Sequence, residues 1–104
     1  MIDAVRSYLK TADLRTATMP DCALALGVNR HTLLVRLKRQ GTTWLELKTA
    51  ERRWRLNESL AQPGRPNVTR MAARCGFSGN ESFLEFFKRA KGERFTDYRL
   101  ARQR

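Results

Sequence analysis

The sequence predicts an all-α fold of seven helices, and three observations support this prediction. Apolar residues recur at the three- and four-residue spacing of amphipathic helices, and no segment shows the alternation of a half-buried strand. Glycines, prolines and capping residues interrupt this pattern at intervals that separate seven segments. A helix–glycine–helix pattern also occurs twice, about fifty residues apart. We therefore expect two related three-helix units joined by one longer helix.

Three short helices are predicted in the first half of the chain. Thr18 is suited to cap the second of them, because its hydroxyl accepts a backbone N–H and Pro20 then fits the first turn. Asn29 is suited to cap the third helix, and Gly41 to end it. The predicted helices span 2–12, 18–26 and 29–40.

One long helix and three shorter ones are predicted in the rest of the chain. Thr43 and Glu46 fit a capping box, in which each side chain satisfies a free backbone donor near the helix start. Asn67 is suited to cap the next helix, and Ser78 and Glu81 offer a second capping box for the one after it. Prolines and a glycine at 62–66 end the long helix and form the clearest linker. The predicted helices span 43–61, 67–75, 79–91 and 96–102.

The repeated pattern is clearest around two glycines. Gly27 aligns with Gly76 at a shift of 49 residues, whereas Leu33 aligns with Phe83 at a shift of 50. The second turn is therefore predicted to carry one extra residue. A helix, a glycine turn and a second helix with a basic end form the outline of a helix-turn-helix, whose second helix reads the DNA major groove.

The charge of the chain indicates a polyanionic partner. Among 104 residues, 21 Lys and Arg stand against 10 Asp and Glu, which leaves a net charge of +11. Residues 1–40 and 61–104 are the basic parts, whereas 41–60 are nearly balanced. Nucleic acid and an anionic membrane surface are the obvious partners for such an excess, and a solvated basic face without a specific partner is the alternative.

Several other functions are disfavoured by the sequence. No run of 18 apolar residues is present and the amino terminus lacks an apolar signal region, so we expect no membrane-spanning segment and no signal peptide. Between the two polyanions we expect nucleic acid as the partner, no membrane partner, and a cytoplasmic location. Cys22 and Cys75 are expected to be buried free thiols, and with one unclustered histidine they predict no metal site. His31 has no nucleophile or carboxylate at usable spacing, and there is no glycine-rich phosphate loop. We therefore expect no enzyme and no cofactor.

A set of short motifs in the second half has a weaker counterpart in the first half. The second-half motifs are Ala72, Gly76-Phe77, Ser82-Phe83, Phe86-Phe87-Lys88, Gly92 and Tyr98-Arg99. The first-half motifs are Leu26-Gly27-Val28, Thr32-Leu33, Arg36-Leu37 and Gly41-Thr42. Together they resemble the DNA-binding domain of the AraC/XylS family of bacterial transcription regulators, over nearly the whole chain. Phe95 stands where the family commonly has proline, which is expected to alter packing more than function.

The resemblance implies two helix-turn-helix subdomains, 1–41 and 62–104, joined by a linker helix at 42–61. Recognition helices at about 29–40 and 79–91 would enter successive major grooves on one face of double-stranded DNA, roughly 34 Å apart. A linker helix of about 18 residues spans roughly 27 Å, which suits that reach. The resemblance thus implies a sequence-specific, nucleoid-associated transcription regulator. An excised domain and a short stand-alone regulator both fit the length of the chain.

The exposed faces of the recognition helices supply the candidates for base contact. The inward positions are assigned to Leu33, Leu37, Phe83, Phe86 and Phe87. The base-contact candidates are Arg30, His31, Leu34 and Val35 on the first helix, and Asn80, Glu81, Leu84 and Glu85 on the second. The resemblance implies arginine, a reader of guanine, at the positions of Val35 and Glu85, so both residues depart from the family pattern.

These departures redirect the expected base contacts. Glu85 has an acceptor for the N4 amino group of cytosine, and Val35 has an apolar surface for a thymine methyl group. His31 is able to donate to a guanine edge, and Arg36 would replace some of the lost charge if the helix were rotated. Glu81 serves either a base or the capping box.

Phosphate contacts demand less of the sequence, because they fix position without reading bases. Helix amino termini near 42–43 and 94–96 offer backbone donors, and basic side chains supply charge. The phosphate candidates are Lys38, Arg39, Thr42, Thr43, Arg52, Arg65, Lys88, Arg89, Arg94 and Thr96.

A protein-interaction module that keeps the fold but has lost base readout is the alternative function. Leu34, Val35 and Leu84 beside Glu81 and Glu85 would then form a surface for RNA polymerase or another regulator. The net charge of +11 favours double-stranded DNA as the partner.

Overall fold

Seven helices make up the secondary structure of residues 1–102, which are the residues that this computed structural model describes. They are α1 (Ile2–Thr11), α2 (Met19–Ala25), α3 (Arg30–Arg39), α4 (Trp44–Ala61), α5 (Val68–Arg74), α6 (Asn80–Lys91) and α7 (Phe95–Arg102). No strand occurs between residues 1 and 102, and the predicted all-α class is confirmed. The last two residues of the predicted subdomain 62–104 lie outside the described range.

Side-chain caps fix the starts of four helices at the residues that the sequence indicated. Each cap oxygen accepts a backbone N–H that has no partner within the first turn of the helix. The four bonds run to Thr18 from Asp21, to Asn29 from His31, to Thr43 from Glu46 and to Asn67 from Arg70, at 2.7–3.3 Å.

Two predicted capping boxes differ from the structure. Gly79, without a side-chain bond, is the N-cap of α6, so the box predicted for Ser78 and Glu81 does not form. The helix starts one residue later than that box requires, which moves the Glu81 carboxylate out of the N3 position. The other box forms only by half, because the Glu46 carboxylate accepts the Thr42 hydroxyl at 3.0 Å instead of a backbone N–H.

Buried apolar residues form two separate cores, one in each half of the chain. The first core consists of Val5, Leu9, Leu14, Cys22, Ala23, Leu33, Leu37 and Leu47. The second core consists of Leu56, Leu60, Met71, Ala72, Cys75, Phe83, Phe87 and Phe95. Helix α4 contributes to both, since Leu47 near its start packs in the first core and Leu56 and Leu60 pack in the second. The described chain is elongated, at 50 × 22 × 22 Å.

The two cores differ in chemistry, because aromatic rings dominate only the second. Phe83 is fully buried, and its ring centroid lies 6.1–6.4 Å from those of four other phenylalanines. Phe95, at the start of α7, is one of them and also meets Phe87 edge to face at 5.3 Å. The departure from proline at this position therefore adds to the packing of the second core. Phe86, predicted to point inward, is only partly buried and packs against the outside of the second core.

Candidate nucleic-acid interface

The turn between α2 and α3 is closed by two backbone hydrogen bonds around Gly27. The Gly27 N–H donates to the Leu24 carbonyl at 3.1 Å, and the Val28 N–H donates to the Ala23 carbonyl at 3.0 Å. Gly27 has a φ of 71°, in the left-handed region where glycine is favoured. This pairing is typical of a Schellman-type helix end, which reverses the chain direction within a few residues.

The turn between α5 and α6 repeats the same two bonds. The Gly76 N–H donates to the Ala73 carbonyl at 3.1 Å, and the Phe77 N–H donates to the Ala72 carbonyl at 2.9 Å. Gly76 has a φ of 89°. Each donor and acceptor lies 49 residues after its counterpart in the first turn, so the internal repeat extends to individual hydrogen bonds.

The second helices of these turns, α3 and α6, begin 50 residues apart. Their N-caps are Asn29 and Gly79, which confirms the extra residue predicted in the second turn. The inward side chains follow the same shift, since Leu33 and Phe83 are both fully buried. Leu37 and Phe87 are also fully buried one turn later. Each turn therefore presents the equivalent face of its second helix to solvent.

On α3, three of the four base-contact candidates are exposed. Arg30 and His31 stand in the first turn, and the backbone N–H of His31 donates to the cap oxygen of Asn29 at 2.7 Å. Leu34 is 45% exposed one turn later. Val35 is half-buried, which limits the surface that it offers to a base.

On α6, all four base-contact candidates are exposed. Asn80 also links α6 to α5, because its amide nitrogen donates to the Thr69 hydroxyl at 3.3 Å. Leu84 is 39% exposed and stands 50 residues after Leu34. Since the second capping box is absent, the Glu81 carboxylate has no bond to the helix start and is open to solvent with Glu85.

Basic side chains end both helices. Lys38 and Arg39 stand in the last turn of α3, and Lys88 and Arg89 in the last turn of α6. All four are exposed. Cations at these places also stabilise the negative end of each helix, so their presence has a structural reason besides any contact with phosphate.

Arg52 is half-buried and bonded to the second turn, which differs from the free surface cation that its assignment to phosphate from sequence presumed. Its Nε donates to the Cys75 carbonyl at 3.1 Å and its Nη2 to the Gly76 carbonyl at 3.2 Å. The guanidinium also lies 4.5 Å from the centre of the Phe77 ring. Burial lowers the pKa of Arg52 from its usual value. The residue holds the second turn in place.

The remaining phosphate candidates differ in exposure and in whether their polar atoms already have a partner within the chain. The Thr42 hydroxyl donates to Glu46 and the Thr43 hydroxyl accepts its backbone N–H, so both hydroxyls are engaged at the start of α4 beside a carboxylate. Arg94 is exposed, with its Nε 3.8 Å from a carboxylate oxygen of Asp97. Arg65 and Thr96 are also exposed.

Arg55 is a scaffold residue that was not among the residues predicted from sequence to have a role. Its guanidinium contacts the ends of both α1 and α5. The signal that would have indicated a structural role is its position four residues after Glu51, the spacing of an ion pair on one helix face.

No helix among residues 1–102 combines the length and the apolar composition needed to cross a bilayer. In the same part of the chain, histidine, cysteine and acidic side chains form no group of three suited to a metal ion. Cys22 and Cys75 are buried and free, as expected.

The structure contains two helix-turn-helix units, each with an exposed second helix that ends in basic side chains. These features are typical of helix-turn-helix DNA-binding proteins. The family of helix-turn-helix domains of AraC type matches residues 22–101. The chain therefore belongs to this family of DNA-binding transcription regulators.

Comparison of structures and of sequences gives two further findings. The chain resembles the crystal structure of a DNA-binding transcriptional dual regulator from Escherichia coli K-12, with a TM-score of 0.82. The two sequences are 21% identical, and the match covers 96% of this chain and 95% of that one. At this identity the likeness shows a shared fold. None of the curated proteins matches the sequence significantly.

Proposed function

We propose that the chain is a sequence-specific regulator that inserts α3 and α6 into successive major grooves on one face of double-stranded DNA. The observation that carries this proposal is the repetition of the turn, down to its hydrogen bonds, before two helices with equivalent exposed faces. In this proposal, residues 1–41 and 62–104 are the two DNA-binding subdomains and 42–61 is the linker.

The dimensions and the charge of the chain support this arrangement. Successive major grooves on one face are roughly 34 Å apart, and the described chain is 50 Å long. A protein of this length is able to place one helix in each groove. The net charge of +11 supplies the attraction to the phosphate backbone that DNA binding requires.

Base contacts are proposed from the exposed side chains of the two helices. Leu34 and Leu84 have matched positions and exposed apolar surfaces, which suit thymine methyl groups. Glu85 offers an acceptor to cytosine, whereas Arg30 and His31 offer donors to guanine. The first helix is thus proposed to read through donors and the second through acceptors.

Phosphate contacts are proposed from the exposed cations among the candidates, and Arg52 is set aside because it bonds to the second turn. They would fix the register of the protein on the duplex without reading sequence. The six charged candidates are Lys38, Arg39, Arg65, Lys88, Arg89 and Arg94.

Selection from a random duplex library, followed by titration of the enriched sequence at several salt concentrations, tests the proposed function. We expect two short sequence elements about one helical turn apart. If the six cations each neutralise one phosphate, log K should fall against log salt with a slope of about −5. A library without enrichment, or a slope weaker than about −2, would contradict the proposal.

Replacing Glu85 by alanine is expected to relax base preference at one position of the selected site. The reason is that a carboxylate accepting from cytosine discriminates against other bases by about 1–3 kcal/mol, which the alanine side chain does not provide. Competition binding among the selected site and its three single-base variants at that position measures the change. Glu58→Ala is the matched control, since it removes the same charge from an exposed position of α4.

Two other outcomes for Glu85→Ala have distinct meanings. Stronger binding to every sequence would show that the carboxylate is only repelled by phosphates. Unchanged affinity and unchanged preference would exclude Glu85 from the interface.

A protein-interaction module is the second candidate function, and the exposure of Leu34 and Leu84 favours it. These side chains are 45% and 39% exposed, and on α6 the acidic Glu81 and Glu85 beside Leu84 weaken contact with DNA. RNA polymerase or another regulator would be the partner. An unenriched library together with weak, sequence-independent binding would favour this function over the first.

A further inference from the structure

Arg55 connects the two halves of the chain through one guanidinium. Its Nη2 donates to the carbonyls of Leu9 at 2.8 Å, Lys10 at 3.3 Å and Ala12 at 2.9 Å. Its Nη1 donates to the carbonyl of Arg74 at 3.0 Å. The first three carbonyls lie at the end of α1, and the fourth belongs to the last residue of α5. One side chain on α4 therefore holds the carboxyl ends of two helices that belong to different halves.

The chemistry of these bonds makes the connection stiff. The last carbonyls of a helix have no partner within the helix and carry its negative end, so a cation is a favoured donor to them. The planar guanidinium presents its donors in fixed directions, and bonds from a charged donor are stronger than neutral ones. Arg55 is also mostly shielded from solvent, since only 13% of its side chain is exposed.

Glu51 supports the position of Arg55 from the preceding turn of α4. One carboxylate oxygen lies 3.5 Å from the Nε of Arg55, and the other lies 3.8 Å from the Nζ of Lys10. Glu51 is only 8% exposed. This buried acidic side chain compensates the charge of Arg55 and also links α4 to α1.

A second contact between the halves lies at the turn before α6. Gly76 is buried, and a Cβ atom built on it would lie 2.3 Å from the Cβ of Leu14. Leu14 is a fully buried member of the first core. The backbone of the second turn thus rests directly against the first half, and a displacement of Arg55 would disturb this contact.

We propose that Arg55 is a positioning residue that sets the distance and angle between α3 and α6, and thereby the number of base pairs between the two elements of the DNA site. Each recognition helix packs into its own core. Arg55 bonds to α1, which packs in the first core, and to α5, which packs in the second. One base pair corresponds to about 3.4 Å and about 34° along the duplex. A joint that fixes both the distance and the angle therefore selects one spacing over its neighbours.

This inference rests on the proposed function, because it presumes that both recognition helices contact one duplex. The geometry of the joint is open to measurement without DNA. The test therefore has two parts, one on the free protein and one on the complex.

The first part measures the distance between the two halves in the free protein. Spin labels are placed by Ser7→Cys on α1 and Leu100→Cys on α7, both at exposed positions. The native Cys22 and Cys75 are buried, and burial raises the pKa of Cys75 to about 11, which slows its labelling. We expect a narrow distribution of label-to-label distances in the protein that keeps Arg55, and a shifted or broader one in the Arg55→Ala variant.

Two further variants separate geometry from charge and from loss of folding. Arg55→Lys keeps the positive charge beside Glu51, but the single ammonium nitrogen does not present separate donors to the ends of α1 and α5. This variant should therefore also broaden the distance distribution. Arg53→Ala removes one charge from an exposed position of the same helix and should leave the distribution unchanged. Circular dichroism confirms that each variant is folded before the distances are compared.

The second part measures binding to the two selected elements separated by different numbers of base pairs. We expect the native chain to prefer one spacing about tenfold over spacings one base pair shorter or longer, similar to the effect of a mismatched base pair. In Arg55→Ala and Arg55→Lys this preference should fall below about threefold. Arg53→Ala should keep the full preference.

The outcomes distinguish failure of this inference from failure of the proposed function. If the native chain prefers one spacing and the Arg55 variants keep that preference, Arg55 does not set it and the inference is wrong, whatever the spin-label distances show. If the native chain selects no pair of elements, the proposed function is wrong and the inference about spacing falls with it.

Discussion

Replacing Gly76 by alanine is expected to destabilise the folded chain by about 3 kcal/mol or more. Two effects add at this position. An alanine is strained at a φ of 89°, and its Cβ would lie 2.3 Å from the Cβ of Leu14 and 2.7 Å from the Leu14 carbonyl carbon. Backbone atoms have little freedom to move away. Urea unfolding followed by circular dichroism measures the loss in the free energy of unfolding.

The equivalent glycine of the first turn is the matched control. Gly27 has a similar φ of 71°, but a Cβ built on it meets no atom within 4 Å. Gly27→Ala should therefore lose only the conformational contribution, about 1 kcal/mol. Equal losses at Gly27 and Gly76 would show that the backbone of the second turn does not rest against Leu14.

Replacing Phe83 by alanine is expected to lower the free energy of unfolding by about 3–5 kcal/mol, the usual range for a buried phenylalanine. Phe83 is fully buried, and its ring contacts those of Phe77, Phe86, Phe87 and Phe95. Its removal leaves a cavity where these four rings meet. Because a domain of this size is typically stable by about 5–15 kcal/mol, this loss is a large fraction of the total and should clearly lower the midpoint of unfolding.

Two substitutions on the same helix calibrate this result. Phe83→Leu introduces the residue that occupies the equivalent position in the first repeat, Leu33, and should lose less because part of the cavity is filled. Leu84→Ala changes the exposed neighbour and should stay within about 0.5 kcal/mol of the native chain. A loss below 1 kcal/mol for Phe83→Ala would contradict the central place of this ring in the second core.

Local features of the fold were predicted well from sequence because they depend on short-range chemistry. The caps at Thr18, Asn29 and Asn67 each need only one side-chain oxygen near the first turn of a helix. The extra residue before α6 followed from comparing the two repeats by their glycines and by their buried anchors. The burial of Phe83 likewise followed from spacing.

Features that depend on the direction of a long side chain were not predicted. Arg52 reads as a free surface cation in the sequence, whereas in the structure its guanidinium bonds to two carbonyls of the second turn. The spacing of Arg55 from Glu51 indicates an ion pair but not the helix ends that Arg55 bonds to, since these acceptors lie 19 to 46 residues away along the chain. The N-cap of α6, Gly79 instead of Ser78, was missed because a capping motif identifies an available oxygen and does not show which residue the turn places at the cap.

The division of α4 between two cores has a consequence for how the chain unfolds. Both cores depend on the same helix, α4, because Leu47 completes the first core and Leu56 and Leu60 complete the second. Melting of one half would remove the packing partner from one end of α4 and weaken the helix that the other half still needs. Although its cores are separate, the chain should therefore lose its structure as a single cooperative unit, and damage to one helix-turn-helix unit should lower the stability of the other.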